Sequence, residues 1–376
     1  MGRCAKIVLF SIGSFFCCIS LFGLDIAPFT MPSARYAAMG GQHAALADDF
    51  YGLFLNPASF VGIEKQFSAA EISVSVYGPV FELIDLALQS PDDLDISGVT
   101  GSNGFAAGLD IGGPIALGWV GKGIGAALFN RTTADATVTG AKIRPVVSEE
   151  ILLVAGYSFR VVDRNSHVLD LGFLGKGFFR ATLNMETSIF AAESLLEDPF
   201  ASPFSTTLGF GFDLGIRYVF RERFGASLVC HDVYSPAFIS TYSSFDDFID
   251  GGSPTESGEY GTVKRMLNIG FSYKVTSETM NRYVSNLTLL LDYRDITDLF
   301  SDLSRNPILN IGIGAEMTVL EILSLRLGVT DALPSVGFGL DLSFMELDFA
   351  IRGREFGKEP GSKPVYALDF GLLFRY

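Results

Sequence analysis

Hydrophobic and polar positions alternate with a period of two over most of the chain beyond Gln66. The last stretch is the plainest. Tyr366, Leu368, Phe370, Leu372, Phe374 and Tyr376 share one face, and Ala367, Asp369, Gly371 and Arg375 share the other, with Leu373 the exception. Successive side chains on a strand point to opposite faces, so this is a strand with one greasy side. Leu208, Phe210, Phe212, Leu214 and Ile216 alternate in the same way with Gly209, Gly211, Asp213, Gly215 and Arg217. Leu323, Leu325, Leu327 and Val329 oppose Ser324, Arg326 and Gly328, while Met345, Leu347, Phe349 and Ile351 oppose Glu346, Asp348, Ala350 and Arg352.

The pattern predicts fourteen strands, near 66–77, 104–120, 123–139, 149–162, 167–189, 206–220, 224–235, 263–275, 286–296, 308–318, 322–331, 334–343, 344–353 and 365–376. The stretch 123–139 is the least regular, because its alternation fades after Leu128. A soluble sandwich and a membrane barrel both alternate; the barrel turns its apolar face to lipid and its polar face to the lumen. An even strand count, an aromatic C-terminus, a secretory leader and asymmetric loops all favour the barrel. If the first strand starts on the periplasmic side, the long connections 78–103, 140–148, 190–205, 236–262, 297–307 and 354–364 fall on the outer side. The inner connections are tight, as at Gly121–Gly123 and 163–166, except for 276–285. The predicted fold is therefore all-β: an antiparallel transmembrane β-barrel of about 14 strands.

Gly112, Gly113 and Pro114 interrupt the second strand without changing its parity. Proline removes a ladder donor and glycine weakens a strand. The run is either a kink or opening in the wall or a turn that splits 104–120 into a hairpin.

Residues 1–23 read as a signal peptide, with Arg3 and Lys6 ahead of an apolar run and Gly23 at the cleavage site. An uncleaved anchor and a lipoprotein leader ending at Cys17 or Cys18 are the alternatives. Removing the leader takes three of the four cysteines and leaves Cys230, so no intrachain disulfide forms in the mature chain. It also takes Arg3 and Lys6, which moves the net charge from −15 to −17. That balance excludes nucleic acid as a partner. Residues 24–65 are rich in Ala and Gly and too few to bury a core alone, so they read as a plug inside the barrel of residues 66–376.

The plug carries Ser33-Ala34-Arg35, Gly40-Gly41, Ala45 to Asp49 and Asn56-Pro57-Ala58. This opening resembles the start of the mature FadL/TodX family of outer-membrane hydrophobic-compound transporters, and that of the related PorV-type barrels. The resemblance implies a fourteen-stranded barrel in the outer membrane of a diderm bacterium, with an N-terminal hatch in the lumen. It implies passive uptake of long-chain fatty acids or other hydrophobic compounds, which leave sideways through a gap beside a kinked strand. Asn56, Pro57 and Ala58 match the hatch motif. Gly112, Gly113 and Pro114 are the candidate lateral-gate kink, although the family's kink lies one strand later.

The residues add their own expectations. Hatch groups Arg35, Gln42, Asp48, Asp49 and Asn56 should pair with inward Asp213, Arg217, Asp292, Arg294, Arg326 and Arg352, since buried polar groups need partners. Those arginines suit a ligand carboxylate as well. Phe200, Phe204, Phe238, Phe245 and Phe248 are candidates for a greasy collecting groove on the outer loops, or for loops packed on one another. Residues 81–88 fit a short amphipathic helix.

With only His43, His167 and His231, and no nucleophile–base–orienting set or metal spacing, the sequence reads as a non-enzyme without cofactor or metal. A PorV-like barrel that binds proteins, a structural barrel and an open porin are the competing readings. The partners expected are a hydrophobic small molecule and outer-membrane lipid; the oligomeric state is not encoded in any visible pattern.

Overall fold

In a computed structural model, which describes residues 24–46, 48–79, 105–139, 142–188, 199–275, 284–300 and 305–375, the alternating stretches become one closed sheet. Its segments are β1 (Leu24–Ile26), β2 (Gln66–Gly78), β3 (Phe105–Gly121), β4 (Ile124–Thr139), β5 (Lys142–Arg164), β6 (His167–Asn184), β7 (Thr187–Ser188), β8 (Phe204–Phe220) and β9 (Phe224–Tyr234). They continue as β10 (Pro236–Tyr242), β11 (Glu256–Val263), β12 (Met266–Val275), β13 (Val284–Tyr293), β14 (Ile311–Val319), β15 (Leu323–Thr330), β16 (Leu333–Asp341), β17 (Met345–Glu355) and β18 (Pro364–Arg375). β1 and β7 are short additions, and β9–β10 and β11–β12 are each one wall strand broken in two, which leaves fourteen wall strands. Each wall strand pairs antiparallel with its neighbour in the chain. The circle closes between β18 and β2, where Phe370 faces Val74 and Leu372 faces Ile72.

The two faces have the polarity of a membrane barrel. On β15 Leu327 is 62% exposed, while Arg326 beside it is 2% exposed. Leu208, Phe210, Phe212, Leu214 and Ile216 are exposed on the outside of β8, and Asp213 between them is buried. Charged groups inside and bare aliphatic groups outside suit a wall bathed in lipid.

Some boundaries differ from the periodicity. β5 begins at Lys142, so most of the expected connection 140–148 is strand. The expected loop 236–262 holds β10, a one-turn helix α3 (Phe245–Ile249) and β11. Gly112, Gly113 and Pro114 lie within β3, which is one strand and not a hairpin. The leader, residues 1–23, and the amphipathic stretch 81–88 lie outside the described residues.

The interior is filled by the N-terminal segment, which carries helices α1 (Ala34–Ala38) and α2 (Gly52–Leu55) and a 3₁₀ turn at Pro57–Ser59. It meets both apolar and charged surfaces of the wall. On one side Phe50, Leu53 and Phe60 pack with Ala116, Val120, Phe129, Leu152, Val154 and Leu174 from β3 to β6. Phe129 meets the rings of Phe50 at 5.4 Å and Phe54 at 4.6 Å. Beyond Leu128 the outward positions Asn130 and Thr132 are polar and bond Glu149, while the inward positions after Phe129 are Arg131 and Asp135; with polar groups on both faces the alternation fades. On the other side, β13 to β18 turn Asp292, Glu316, Arg326, Asp348, Arg352 and Asp369 inward.

Placing an arginine on the bare outer face tests the polarity of the wall. Leu327→Arg should cost about 2–4 kcal/mol if that position lies near the bilayer midplane. Urea titration of the folded barrel in lipid vesicles measures it; an unchanged midpoint would mean that this face is not in hydrocarbon.

Candidate functional site

The N-terminal segment is shaped locally by its own polar groups. Asn56 has an extended backbone, and its Oδ1 accepts from the Ala58 N–H at 3.0 Å, which caps the turn begun by Pro57. Its Nδ2 donates to the Ala44 carbonyl at 3.2 Å and reaches the Ile216 carbonyl of β8 at 3.5 Å. Ser59 Oγ donates to the Asn56 carbonyl at 2.7 Å. This turn lies directly on Gly172 of β6 and Gly215 of β8. A Cβ at Gly172 would overlap the Pro57 carbonyl, and one at Gly215 would overlap Asn56 Oδ1. The two glycines let backbone meet backbone where any side chain would hold the segment off.

Charge fixes the other half of the segment. Arg35 pairs with Asp48 at 3.0 Å, Asp49 at 2.6 Å and Glu316 of β14 at 2.8 Å. Burial opposes the charge on Arg35, but Asp48, Glu316 and Asp49 together hold its pKa well above the usual arginine value. Burial pushes the Asp48 carboxyl up, against the pull of Arg35. His43 was given no role by its sequence context, yet it is fully buried, with Nδ1 2.6 Å from Asp292 of β13 and Nε2 2.7 Å from the Met39 carbonyl. The same Asp292 accepts from the Ala44 N–H at 2.8 Å.

Of the six inward wall residues singled out by sequence, Asp292 is hydrogen-bonded to the plug, and Arg217 lies against Gly62. The others pair within the wall. Asp213 meets Lys176 at 2.8 Å and His231 at 3.2 Å. Arg294 meets Asp331 at 3.1 Å, Arg326 meets Glu316 at 2.7 Å and also Asp348, and Arg352 meets Asp369 at 2.8 Å. Glu316, Ser335 and Ser158 of the wall and His43 of the plug are among the holding residues that periodicity alone did not single out, because inward positions of the same kind carry either sort of pair.

A cavity of 350 Å³ lies above the plug, bounded by Met31, Tyr36 and Leu55 from the plug and by Tyr77, Arg131 and Arg354 from the wall. Arg131 is held by Asp110 at 2.8 Å. Arg354 has no ion pair among the described residues; its guanidinium lies 4.8 Å from the Tyr77 ring and 5.0 Å from the Phe356 ring.

Beside this cavity the wall ladder is interrupted. β2 and β3 pair at Ser68 with Gly118 and again at Ser73 with Gly112, and nothing between them is paired. The β3–β4 ladder jumps from Gly112↔Arg131 to Ala116↔Phe129. Asn130 covers part of the defect by accepting from the Ile115 N–H at 2.9 Å. Gly113 has φ 92°, and a Cβ there would overlap the Glu71 carbonyl oxygen; one at Gly112 would press on the Met31 side chain at 2.8 Å. The lumen cavity and the wall defect thus share Met31 and Pro32 as their common border.

The outer aromatics do not form one groove. Phe204 packs with Phe245 and Phe248 at 5.1 and 4.9 Å, and Phe200 joins Phe245 at 5.1 Å. Phe238 sits apart on β10, exposed beside Tyr260.

No protein-family profile and no curated protein matches the chain. Among solved structures it is similar to the toluene transporter TbuX of Ralstonia pickettii, with 15% identity over 92% of this chain and 97% of that one and a TM-score of 0.49. It is also similar to the CymD monoaromatic hydrocarbon channel, with 11% identity over 93% and 98% and a TM-score of 0.48. For a Pseudomonas aeruginosa FadL homologue the values are 11%, 94%, 99% and 0.30.

Two substitutions test how the plug is held. Gly215→Val should displace the Asn56–Ser59 turn while the barrel still closes, seen as new protease cleavage between residues 40 and 65 with the heat-modifiable band retained. His43→Ala leaves Asp292 buried with only the Ala44 N–H; losing one partner of a buried pair costs about 3–5 kcal/mol. It should expose the same segment to protease, and protection equal to the parent chain would remove His43 from the anchoring set.

Proposed function

We propose that this chain is an outer-membrane transporter that passively takes up hydrophobic small molecules, with residues 24–65 as a hatch and the β2–β3 defect as a lateral gate. The observation that carries this reading is the shared border at Met31 and Pro32. A lumen cavity large enough for a small molecule, with Met31, Tyr36 and Leu55 on one side and Asp110, Arg131, Arg352 and Arg354 on the other, adjoins a stretch of wall with no ladder. A greasy molecule entering from above would need no aqueous exit, since the defect leads into lipid. Ala116, Phe129 and Phe50 continue the apolar surface along the inside of that wall.

Long-chain fatty acids are one cargo that the cavity would suit. Arg354, held between two rings with no carboxylate of its own, would take the acid head as a charge-assisted pair. A cavity of 350 Å³ is at the small end of the roughly 300–1,000 Å³ of small-molecule sites, so a long tail would run on toward the defect. Each buried CH₂ contributes about 0.8 kcal/mol, which places a sixteen-carbon tail on the order of 10 kcal/mol before the costs of association.

Flux of labelled palmitate and labelled toluene into liposomes carrying the purified protein tests the reading. Saturable entry of either supports it; entry no faster than into protein-free liposomes, with the barrel folded, would reject it. Gly112→Phe should slow both cargoes at least tenfold by filling the space against Met31. Arg354→Gln should slow palmitate and leave toluene unchanged.

A further inference from the structure

A second break in the wall lies between the outer and inner halves of two neighbouring strands. β9 pairs with β12 as far as His231↔Met266, and β10 pairs with β11 from Pro236↔Thr262 onward. Between them Asp232 takes φ 53°, and the β8–β9 register jumps from Phe212↔Tyr234 to Leu214↔Cys230.

β11 has an unusual neighbour. One of its edges pairs with β10 in the usual antiparallel way. On the other edge β13 would be expected, but β13 ends at Tyr293 opposite Ile269. Beyond it the chain turns away: Asp295 has φ 51°, and its N–H donates to Asn268 Oδ1 at 2.9 Å. β1 takes the vacant edge, with Leu24 beside Gly261, Asp25 beside Thr262 and Ile26 beside Val263. It is the one parallel pairing in a sheet otherwise antiparallel among the described residues.

Beyond the ladder, β1 is held by the buried Ile26 side chain, which packs on Gly261, and by two backbone contacts. The Lys264 N–H donates to the Ile26 carbonyl at 3.3 Å, and Arg180 Nη2 donates to the Ala27 carbonyl at 3.0 Å. The described ladder is three residues long, and so short a pairing belongs to the low-stability part of a fold. Cavities lie along the segment that begins with β1. One of 350 Å³ is bounded by Asp25, Tyr234, Thr262, Lys264 and Thr297 at the strand break. The lumen cavity, also 350 Å³, is bounded by Pro28, Thr30 and Met31 of the same segment.

We propose that β1 is a removable stave. When it leaves the edge of β11, the cavity at the strand break joins the lumen cavity and opens a second passage, between β11 and β13, across the barrel from the β2–β3 defect. This rests on the reading of the barrel as a plugged conduit, but its test needs no cargo. While β1 is seated, the route is closed by three residues and their backbone bonds; once it is gone, the edge of β11 is free and Asp25 no longer lines the break.

The test is ion conductance in a planar bilayer, using full-length protein with Cys4, Cys17, Cys18 and Cys230 each replaced by Ser, together with Asp25→Cys and Thr262→Cys. Neighbouring strands lie about 4.8 Å apart, within the roughly 4.4–6.8 Å that a disulfide spans between Cα atoms. The oxidised protein should be silent, and reduction with dithiothreitol should give at least tenfold more open time. Equal traces before and after reduction, with the bond verified by mass spectrometry, would overturn the proposal. Ile26→Cys in the otherwise native barrel is a second measure that needs no cross-link. This buried position should react with a water-soluble maleimide at least tenfold faster than buried Cys230; equal protection would mean that β1 stays in place. A barrel that carries neither palmitate nor toluene can still pass or fail both tests, so the two readings fail separately.

Discussion

A backbone N–H or C=O left without a partner in hydrocarbon costs several kcal/mol, so the wall must pair every strand with the next and close on itself. Closure at β18 and β2 sets the rest. It forces one face of each strand into lipid and the other into an enclosed lumen, and it makes any interruption of the ladder costly enough to require cover. At the β2–β3 defect and at the break beside β11, that cover includes the N-terminal segment. Met31 and Pro32 back the β2–β3 defect, and β1 completes the edge of β11. The plug and the irregular parts of the wall are therefore one arrangement, because each would be unfavourable without the other.

The lumen solves two problems with one segment. A fully charged interior would hold a plug only through desolvated pairs, whose net contribution is small or negative. A fully apolar one would give it no fixed register. Here the apolar half, around Phe129 and Phe50, supplies burial, while Arg35–Glu316 and His43–Asp292 supply position. Most wall charges meet other wall charges, as Arg352 meets Asp369. The inner face of β13 to β18 is thus largely satisfied before the plug arrives. Arg354, paired with rings in place of carboxylates, stands out against that background.

The period-two pattern determined the class of fold, the face of nearly every strand and the tight inner turns, because side-chain direction in a strand depends only on parity. That the Ala- and Gly-rich stretch around Asn56 must pack against other parts of the chain was legible, since it is too small to bury a core alone. Which inward residues hold that plug was decided only in three dimensions. Asp292 and Arg352 look alike in sequence, yet one reaches the plug and the other a neighbouring strand, according to which plug atoms stand opposite. The packing of Phe129 on Phe50 and Phe54, the strand segments within 236–262 and the split of the outer aromatics into Phe204's cluster and Phe238 beside Tyr260 were likewise hidden from periodicity. Alternation records which side a residue faces, and tertiary structure alone decides what waits for it on that side.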